Sequence, residues 1–133
     1  MGFLIDTSIF VAWERGQLDG PVPSALSPEA DVALSAVTAS ELLHGVERAN
    51  SAQRRARRAA FVEQVLSMVH VLPVDLAVSR VHARIWADLR TRGELIGAHD
   101  MLIAATALHH GLAIATRNER EFRRVADLRV ETW

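Results

Sequence analysis

Short apolar runs alternate regularly with stretches of helical spacing along this chain. The apolar runs have the length of β-strands and lie at residues 2–6, 32–36, 70–74, 112–115 and 128–132. Between them, apolar residues recur every three or four positions, which is typical of amphipathic helices. This alternation predicts an α/β domain with a mainly parallel sheet, and the continuously apolar strands predict helices on both faces of that sheet.

The boundaries of the predicted helices follow from the same spacing. Helices are predicted at residues 7–17, 38–49, 61–69, 75–92, 100–110 and 118–126, and the glycine- and proline-containing segment 19–31 is predicted to be a loop. The spacing also assigns Leu43 and Trp86 to the inward faces of their helices. The helix that begins at Asp100 is so apolar that it should be buried nearly all round.

The length and composition of the chain indicate one globular domain spanning residues 1–133. Half of the residues are hydrophobic and 23% are charged, and there is no cysteine, which excludes disulfides and zinc–thiolate sites. No apolar run approaches the length of a membrane span, and the N-terminus lacks the features of a signal peptide. We therefore expect a cytoplasmic protein that does not associate with a membrane.

The charge of the chain gives little information about its partners. The net charge of −1 does not indicate nucleic-acid binding. All of the cationic side chains other than histidine are arginine, which suits phosphates and carboxylates, although a codon bias would give the same composition.

Polar residues follow the predicted strands at the points where the strands end. Asp6 ends the first strand, Glu41 follows the second, and Thr116 and Asn118 follow the fourth. Asp100 opens the helix that precedes the fourth strand. Because ligands bind beyond the carboxyl ends of parallel strands, we expect these side chains to converge at one edge of the sheet.

Helix capping is the structural alternative for each of these residues. Asp6 has the position of an N-cap, residues 38–41 and 118–121 have the form of capping boxes, and Asp100 complements a helix dipole. Serine or threonine would serve as a cap equally well, however, and clustered carboxylates repel one another. A divalent cation removes that conflict, and oxygen ligands without sulfur suit Mg²⁺ or Mn²⁺. The pattern therefore predicts hydrolysis of a phosphodiester bond.

The histidines offer a competing metal site. His109 and His110 are adjacent on a helix and should not share a ligand-binding face. Of the six histidines, only His99 lies beside one of the acids. We therefore interpret most of them as surface or structural residues.

Four segments resemble, in order, the motifs of the PIN domain. They read LIDTS at 4–8, TASEL at 38–42, HDMLIAATA at 99–107 and TRNEREF at 116–122, and together they span nearly the whole chain. A single small PIN domain is most similar to the VapC-type toxins of toxin–antitoxin pairs. The resemblance implies a PIN-like three-layer sandwich, an Mg²⁺- or Mn²⁺-dependent endoribonuclease acting on structured RNA, a homodimer, and inhibition by a small antitoxin.

The resemblance also implies roles for individual residues. Asp6 and Asp100 match the principal metal ligands of the family, and Glu41 matches its third acid. Asn118 lies where some relatives have a fourth acid or a polar helper, so one negative charge is absent and a tightly held second metal ion is less expected. Glu119 is the neighbouring acid that would compensate. The hydroxyls expected to orient the ligands belong to Thr7, Ser8 and Thr116.

Two alternative functions remain open from the sequence: a PIN-like nuclease that acts on DNA, and a non-catalytic binding module whose acids are only caps. The chain has no accessory DNA-binding module, and the intact acids argue against a degenerate site. The candidate RNA contacts are Arg117 and then the arginine cluster at 54–58, which is otherwise a solvated helix face. Trp13 is predicted to be partly exposed and available to the antitoxin.

Overall fold

The computed structural model describes residues 2–18 and 31–133. The predicted loop at 19–31 therefore lies, apart from Asp31, outside the described residues. The strands are β1 Phe3–Ile5, β2 Val32–Ser35, β3 His70–Leu72, β4 Ala113–Thr116 and β5 Val130–Thr132. The described helices are α1 Thr7–Glu14, α2 Ala36–Glu47, α3 Ala52–Met68, α4 Leu76–Thr91, α5 Ala98–His109 and α6 Glu119–Phe122.

The five strands form one sheet in the order β3-β2-β1-β4-β5, and every pairing in it is parallel. Leu4, at the centre of β1, pairs with Ala33 of β2 on one side and with Ile114 of β4 on the other. The prediction of a mainly parallel α/β sheet is confirmed. The chain leaves β1 toward β2 but returns on the other side of β1 as β4, so the carboxyl ends of β1 and β4 form a topological switch point.

Both faces of the sheet are covered by helices, which explains the continuously apolar strands. Successive residues of a strand point to opposite faces. Leu4 and Ala33 accordingly belong to a core shared with α4, α5 and α6, whereas Ile5 and Leu34 belong to a second core shared with α1, α2 and α3. The fold is thus the three-layer sandwich that the resemblance implied.

Three of the described helices, α2, α3 and α5, begin earlier than the spacing predicted, and a serine cap sets the start of the first two. The Oγ of Ser35 accepts a 3.0 Å hydrogen bond from the Val37 amide, so α2 starts at Ala36 and Thr38 lies inside the helix. Ser51 likewise caps α3 by accepting a bond from the Arg54 amide, which brings the arginine cluster into the first turns of that helix. In both cases a serine before the apolar pattern sets the boundary.

The inward assignments of Leu43 and Trp86 are wrong. Their relative exposures are 42% and 47%, because each helix buries only the stripe that faces the sheet. On α2 that stripe contains Leu42 and Val46, which lie four residues apart on one face. None of the described helices is long and apolar enough to span a membrane.

Candidate active site

Asp6 lies immediately after β1, at the switch point of the sheet. Its amide continues the β1–β4 ladder by donating to the Ala115 carbonyl at 2.9 Å. The side chain is only 4% exposed, and its Oδ2 accepts hydrogen bonds from Ser8 Oγ at 2.6 Å and Thr116 Oγ1 at 2.8 Å. The carboxylate makes no capping bond to α1, so the capping interpretation of Asp6 is wrong.

The two hydroxyls that hold Asp6 are themselves oriented by backbone groups. Ser8 Oγ accepts from the Arg117 amide at 3.0 Å, and Thr116 Oγ1 accepts from the Asn118 amide at 2.8 Å. Because each oxygen is occupied as an acceptor by an N–H, its own proton is directed to Asp6. The expectation that Ser8 and Thr116 orient this carboxylate agrees with the geometry.

Glu41 approaches the same edge from the second turn of α2. Its Oε1 accepts a 2.8 Å hydrogen bond from Thr7 Oγ1, and its Oε2 lies 3.8 Å from His99 Nδ1. The predicted capping-box bond back to Thr38 is absent from the contacts of Glu41, because α2 begins two residues before Thr38. Glu41 therefore joins the start of α1 to the start of α5 instead of capping its own helix.

Asp100 lies in the first turn of α5 and is partly buried. Burial, followed by the carboxylates of Asp6, Glu121 and Glu41, raises the pKa of Asp100 from 3.8 to about 7. A hydrogen bond with Glu121 acts in the same direction. The electrostatic conflict that the sequence predicted among the acids is thus concentrated on Asp100.

Glu121 is the acid that the sequence analysis missed. It lies on α6, is partly buried, and faces Asp100. Glu119, which was expected to compensate for Asn118, instead accepts bonds from Thr132 Oγ1 at 2.7 Å and Arg123 Nη2 at 3.0 Å. These bonds lower the pKa of Glu119 and hold it toward β5. The available signal was the three-residue spacing from Asn118 to Glu121, which places both on one face of a helical turn.

Asn118 reaches the site through its backbone. Its amide donates to Thr116, while its side chain makes no capping bond to α6, so the capping-box form of residues 118–121 is not realised. The side chain is partly buried beside the acid edge. Asp6, Glu41 and Asp100 thus lie at one edge with Glu121, and Asn118 lies next to them.

Comparison with known proteins identifies the fold family. The profile of the PIN domain matches residues 3–128 of this chain. The chain belongs to the PIN-domain family. A relative from Rickettsia felis named Ribonuclease VapC1 is 40% identical over 132 residues, covering 99% of this chain and 96% of the relative. A relative from Shigella flexneri named tRNA(fMet)-specific endonuclease VapC is 33% identical, covering 98% and 97% of the two chains.

A solved structure agrees with the sequence relatives. A chain in the crystal structure described as DNA-bound VapBC from Salmonella typhimurium superposes with a TM-score of 0.89 at 28% sequence identity. The match covers 100% of this chain and 98% of that chain. This PIN domain therefore resembles VapC-type proteins over its full length.

The acid edge of this PIN domain offers oxygen ligands without a closed cage. Within residues 2–18 and 31–133, no three His, Asp or Glu side chains come together closely enough to hold an ion by themselves. Mg²⁺ keeps several of its waters and is usually bound through one or two carboxylates, whereas Ca²⁺ takes six to eight oxygens. The donor set therefore fits a hydrated Mg²⁺ or Mn²⁺ ion on Asp6 and Asp100 better than a fully protein-coordinated ion.

The histidines do not build a second metal site in the described part of the chain. The rings of His109 and His110 contact each other edge to face, with centroids 4.8 Å apart. No third ligand joins them among the described residues, however. His99 is the histidine that reaches the acids, through Glu41.

The arginines proposed for RNA binding are not equivalent. The Arg117 side chain is exposed beside the acid edge, and its amide is fixed by Ser8. Within the cluster at 54–58, Arg54 bonds to Asn50, and Arg58 bonds to Glu14 and to the Gly45 carbonyl. Of these two arginines, only Arg58 is thus paired with an acid.

Proposed function

We propose that this chain is a divalent-cation-dependent endoribonuclease and the toxin component of a toxin–antitoxin pair. The observation that carries the proposal is the buried Asp6 carboxylate, which lies among Glu41, Asp100 and Glu121 without an arginine paired to any of the four in the described residues. Structural carboxylates at such burial are normally paired with a cation. The relatives named as VapC ribonucleases supply the reaction class.

Asp6 and Asp100 are the proposed ligands of the cation, Mg²⁺ or Mn²⁺. When bound, the cation would supply Lewis-acid polarisation of the phosphodiester and activation of water. Ser8 and Thr116 hold Asp6 in one orientation, so this carboxylate needs little reorganisation on binding. Deprotonation of Asp100 is part of binding, since a ligand carboxylate must be ionised.

Glu41 and Glu121 are proposed to assist the two ligands, Asp6 and Asp100. Thr7 donates to Glu41 and His99 lies beside it, and the role proposed for Glu41 is to accept a proton from the attacking water. Glu121 takes the fourth acidic position through its hydrogen bond with Asp100, with Asn118 as the neighbouring polar helper. With this fourth acid present, both one and two cations remain compatible with the charge of the site.

The proposed partners are an RNA substrate, a small cognate antitoxin and a second copy of the chain. The VapBC complex from Salmonella typhimurium is the basis for the antitoxin. Trp13 is half-buried, with its ring 5.6 Å from Phe10 and 6.3 Å from Trp133, and so presents apolar surface at the C-terminal end of α1. Exposed Leu76 and Trp86 on α4 offer apolar surface that a homodimer would cover.

Cleavage of purified tRNA and total RNA with Mg²⁺, with Mn²⁺ and with EDTA tests the proposed function. Discrete RNA fragments are expected with either cation and none with EDTA, and the purified cognate antitoxin should suppress them. Single-stranded and duplex DNA are run in parallel. Cleavage of DNA but not RNA would support the alternative nuclease, and no cleavage of either would support a binding module.

A further inference from the structure

A groove extends from the acid edge across α1, α2 and α3. It encloses about 680 Å³, and Thr7 and Glu41 line its inner end. Because these two side chains are joined by the 2.8 Å hydrogen bond, the groove and the acid site share a wall. A volume of this size holds a ligand as large as a typical small molecule, which corresponds to roughly one or two nucleotides and not to a duplex.

Three arginines line the outer part of the groove: Arg15, Arg48 and Arg58. Arg58 is fixed in place, since its Nε donates to Glu14 Oε1 at 2.9 Å and its Nη1 donates to the Gly45 carbonyl at 2.8 Å. This pairing neutralises Glu14, which would otherwise repel a phosphate. The charge that remains in the outer groove is therefore positive.

Arg15 and Arg48 are exposed and available to a ligand. Neither guanidinium makes a hydrogen bond or ion pair with another residue in the described ranges. Each residue lies at the C-terminal end of a helix, with its amide bonded into the last turn at 3.1 Å for Arg15 and 3.0 Å for Arg48. Other surface arginines, such as Arg92 and Arg123, are already engaged by carboxylates.

The walls of the groove favour a polyanion over an apolar peptide. Its apolar lining residues are Val11, Leu42 and Val62, and the last two are only 5% and 1% exposed. They form a narrow floor that offers little apolar surface to anchor a peptide. A floor of this kind suits the sugar or base of a nucleotide, while arginine suits its phosphates.

We propose that this groove binds the single-stranded RNA segment adjoining the scissile bond, with Arg15 and Arg48 contacting its phosphates. The inference rests on the proposed endoribonuclease activity and adds the path of the substrate. The acid cluster repels a polyanion. Binding of RNA therefore requires positively charged side chains that lie close to the acid cluster but outside it. A single strand is also the form of RNA whose bases are free to enter such a groove.

The test uses Arg15→Ala, Arg48→Ala and the double variant. Arg80→Ala is the matched control, because Arg80 is an exposed arginine on α4, which covers the opposite face of the sheet from the groove. Binding of a fluorescently labelled single-stranded RNA of mixed sequence is measured by anisotropy in EDTA over a range of salt concentrations. Cleavage of the same RNA is then measured with Mg²⁺, and thermal unfolding confirms that each variant is folded.

Each single groove variant should weaken RNA binding by about threefold to tenfold at low salt, and Arg80→Ala should not. The slope of log K against log salt should fall by about 0.7 for each phosphate contact removed, hence by about 1.4 in the double variant. KM should rise by a similar factor while kcat stays within about twofold, because the arginines bind the strand away from the reacting atoms.

Wild-type RNA affinity and salt slope in the double variant would overturn the groove inference, even if the wild-type protein cleaves RNA. Loss of affinity for the purified antitoxin with unchanged RNA affinity would overturn it too, since the groove would then bind the protein partner. Failure of the wild-type protein to cleave RNA would instead count against the proposed function. The binding measurement in EDTA tests the groove independently of that outcome.

Discussion

Replacing Asp100 with asparagine should stabilise the fold at neutral and alkaline pH. The pKa of Asp100 rises from 3.8 to about 7 on folding, so between these values the folded state binds a proton that the unfolded state has released. The free energy of unfolding therefore falls as pH rises through this window, and the loss is complete above the folded pKa. Asparagine carries no charge, and its amide can still donate a hydrogen bond to Glu121.

The size of the effect follows from the shift. A pKa shift of this size corresponds to at most about 4 kcal/mol in the free energy of unfolding, at about 1.4 kcal/mol per pH unit. Because Asp100 is only partly buried, solvent screening reduces this to about 1–2 kcal/mol. Loss of the favourable interaction with the α5 dipole opposes the gain by about 0.5 kcal/mol, which is less than the combined cost of burying the charged carboxylate and placing it beside the other acids. The melting temperature should rise by about 3–6 °C at pH 8.

Urea unfolding in EDTA from pH 4 to pH 8 measures this prediction. The difference in the free energy of unfolding between Asp100→Asn and wild type should be close to zero near pH 4 and largest at pH 8. Asp127→Asn is the control, because Asp127 precedes β5 and lies away from the acids, in a left-handed conformation (φ 65°) that asparagine also adopts. A variant that is no more stable than wild type at pH 8, or a difference independent of pH, would refute the reasoning.

Five further variants test the roles assigned to the acids, each assayed by Mg²⁺-dependent RNA cleavage with thermal unfolding as the folding control. Asp6→Asn should lose more than about 100-fold in kcat while remaining folded, since an amide is a poor ligand for Mg²⁺; retained activity would remove Asp6 from the site. Glu41→Gln should lose a comparable factor and Thr7→Val about tenfold, because the valine leaves Glu41 unheld; equal activity of Glu41→Gln and wild type would contradict this role. Glu121→Gln should lose about tenfold whereas Glu119→Gln should not, and the reverse order would show that the wrong acid was chosen.

The topology and the three principal acids were predictable from local pattern. Parallel strands separated by helices place every strand end at one edge, so Asp6 and the residues after β4 had to meet there. Helix starts were harder to predict, because Ser35 and Thr38 are both acceptable caps, and in the structure Ser35 is the cap while Thr38 is buried inside α2. The exposure of Trp86 could not be predicted either. The neighbouring elements decide which stripe of an amphipathic helix faces the sheet.

The sequence could not predict which glutamate lies beside Asp100, because the choice depends on tertiary contacts. Glu119 and Glu121 are separated by one residue on a single helical turn, and either is a reasonable companion for Asp100. The choice is made by Thr132 at the end of β5 and by Arg123, which together engage Glu119. Phe122 is fully buried and fixes the rotation of the turn, which leaves Glu121 on the side of the acids.

The apolar character of α5 explains how the site sustains its electrostatic cost. Met101, Ile103 and Ala104 follow Asp100 directly and are at most 6% exposed, so the helix cannot rotate without exposing part of the core. Burying Met101 and Ile103 contributes about 1.5–3 kcal/mol each, which together exceeds the electrostatic cost at Asp100. The core therefore holds Asp100 beside Asp6 and Glu121, where an unanchored helix would turn the carboxylate toward water. In the proposed function, binding a cation would relieve the electrostatic cost that the packing of α5 imposes on Asp100, and the free energy released would contribute to cation affinity.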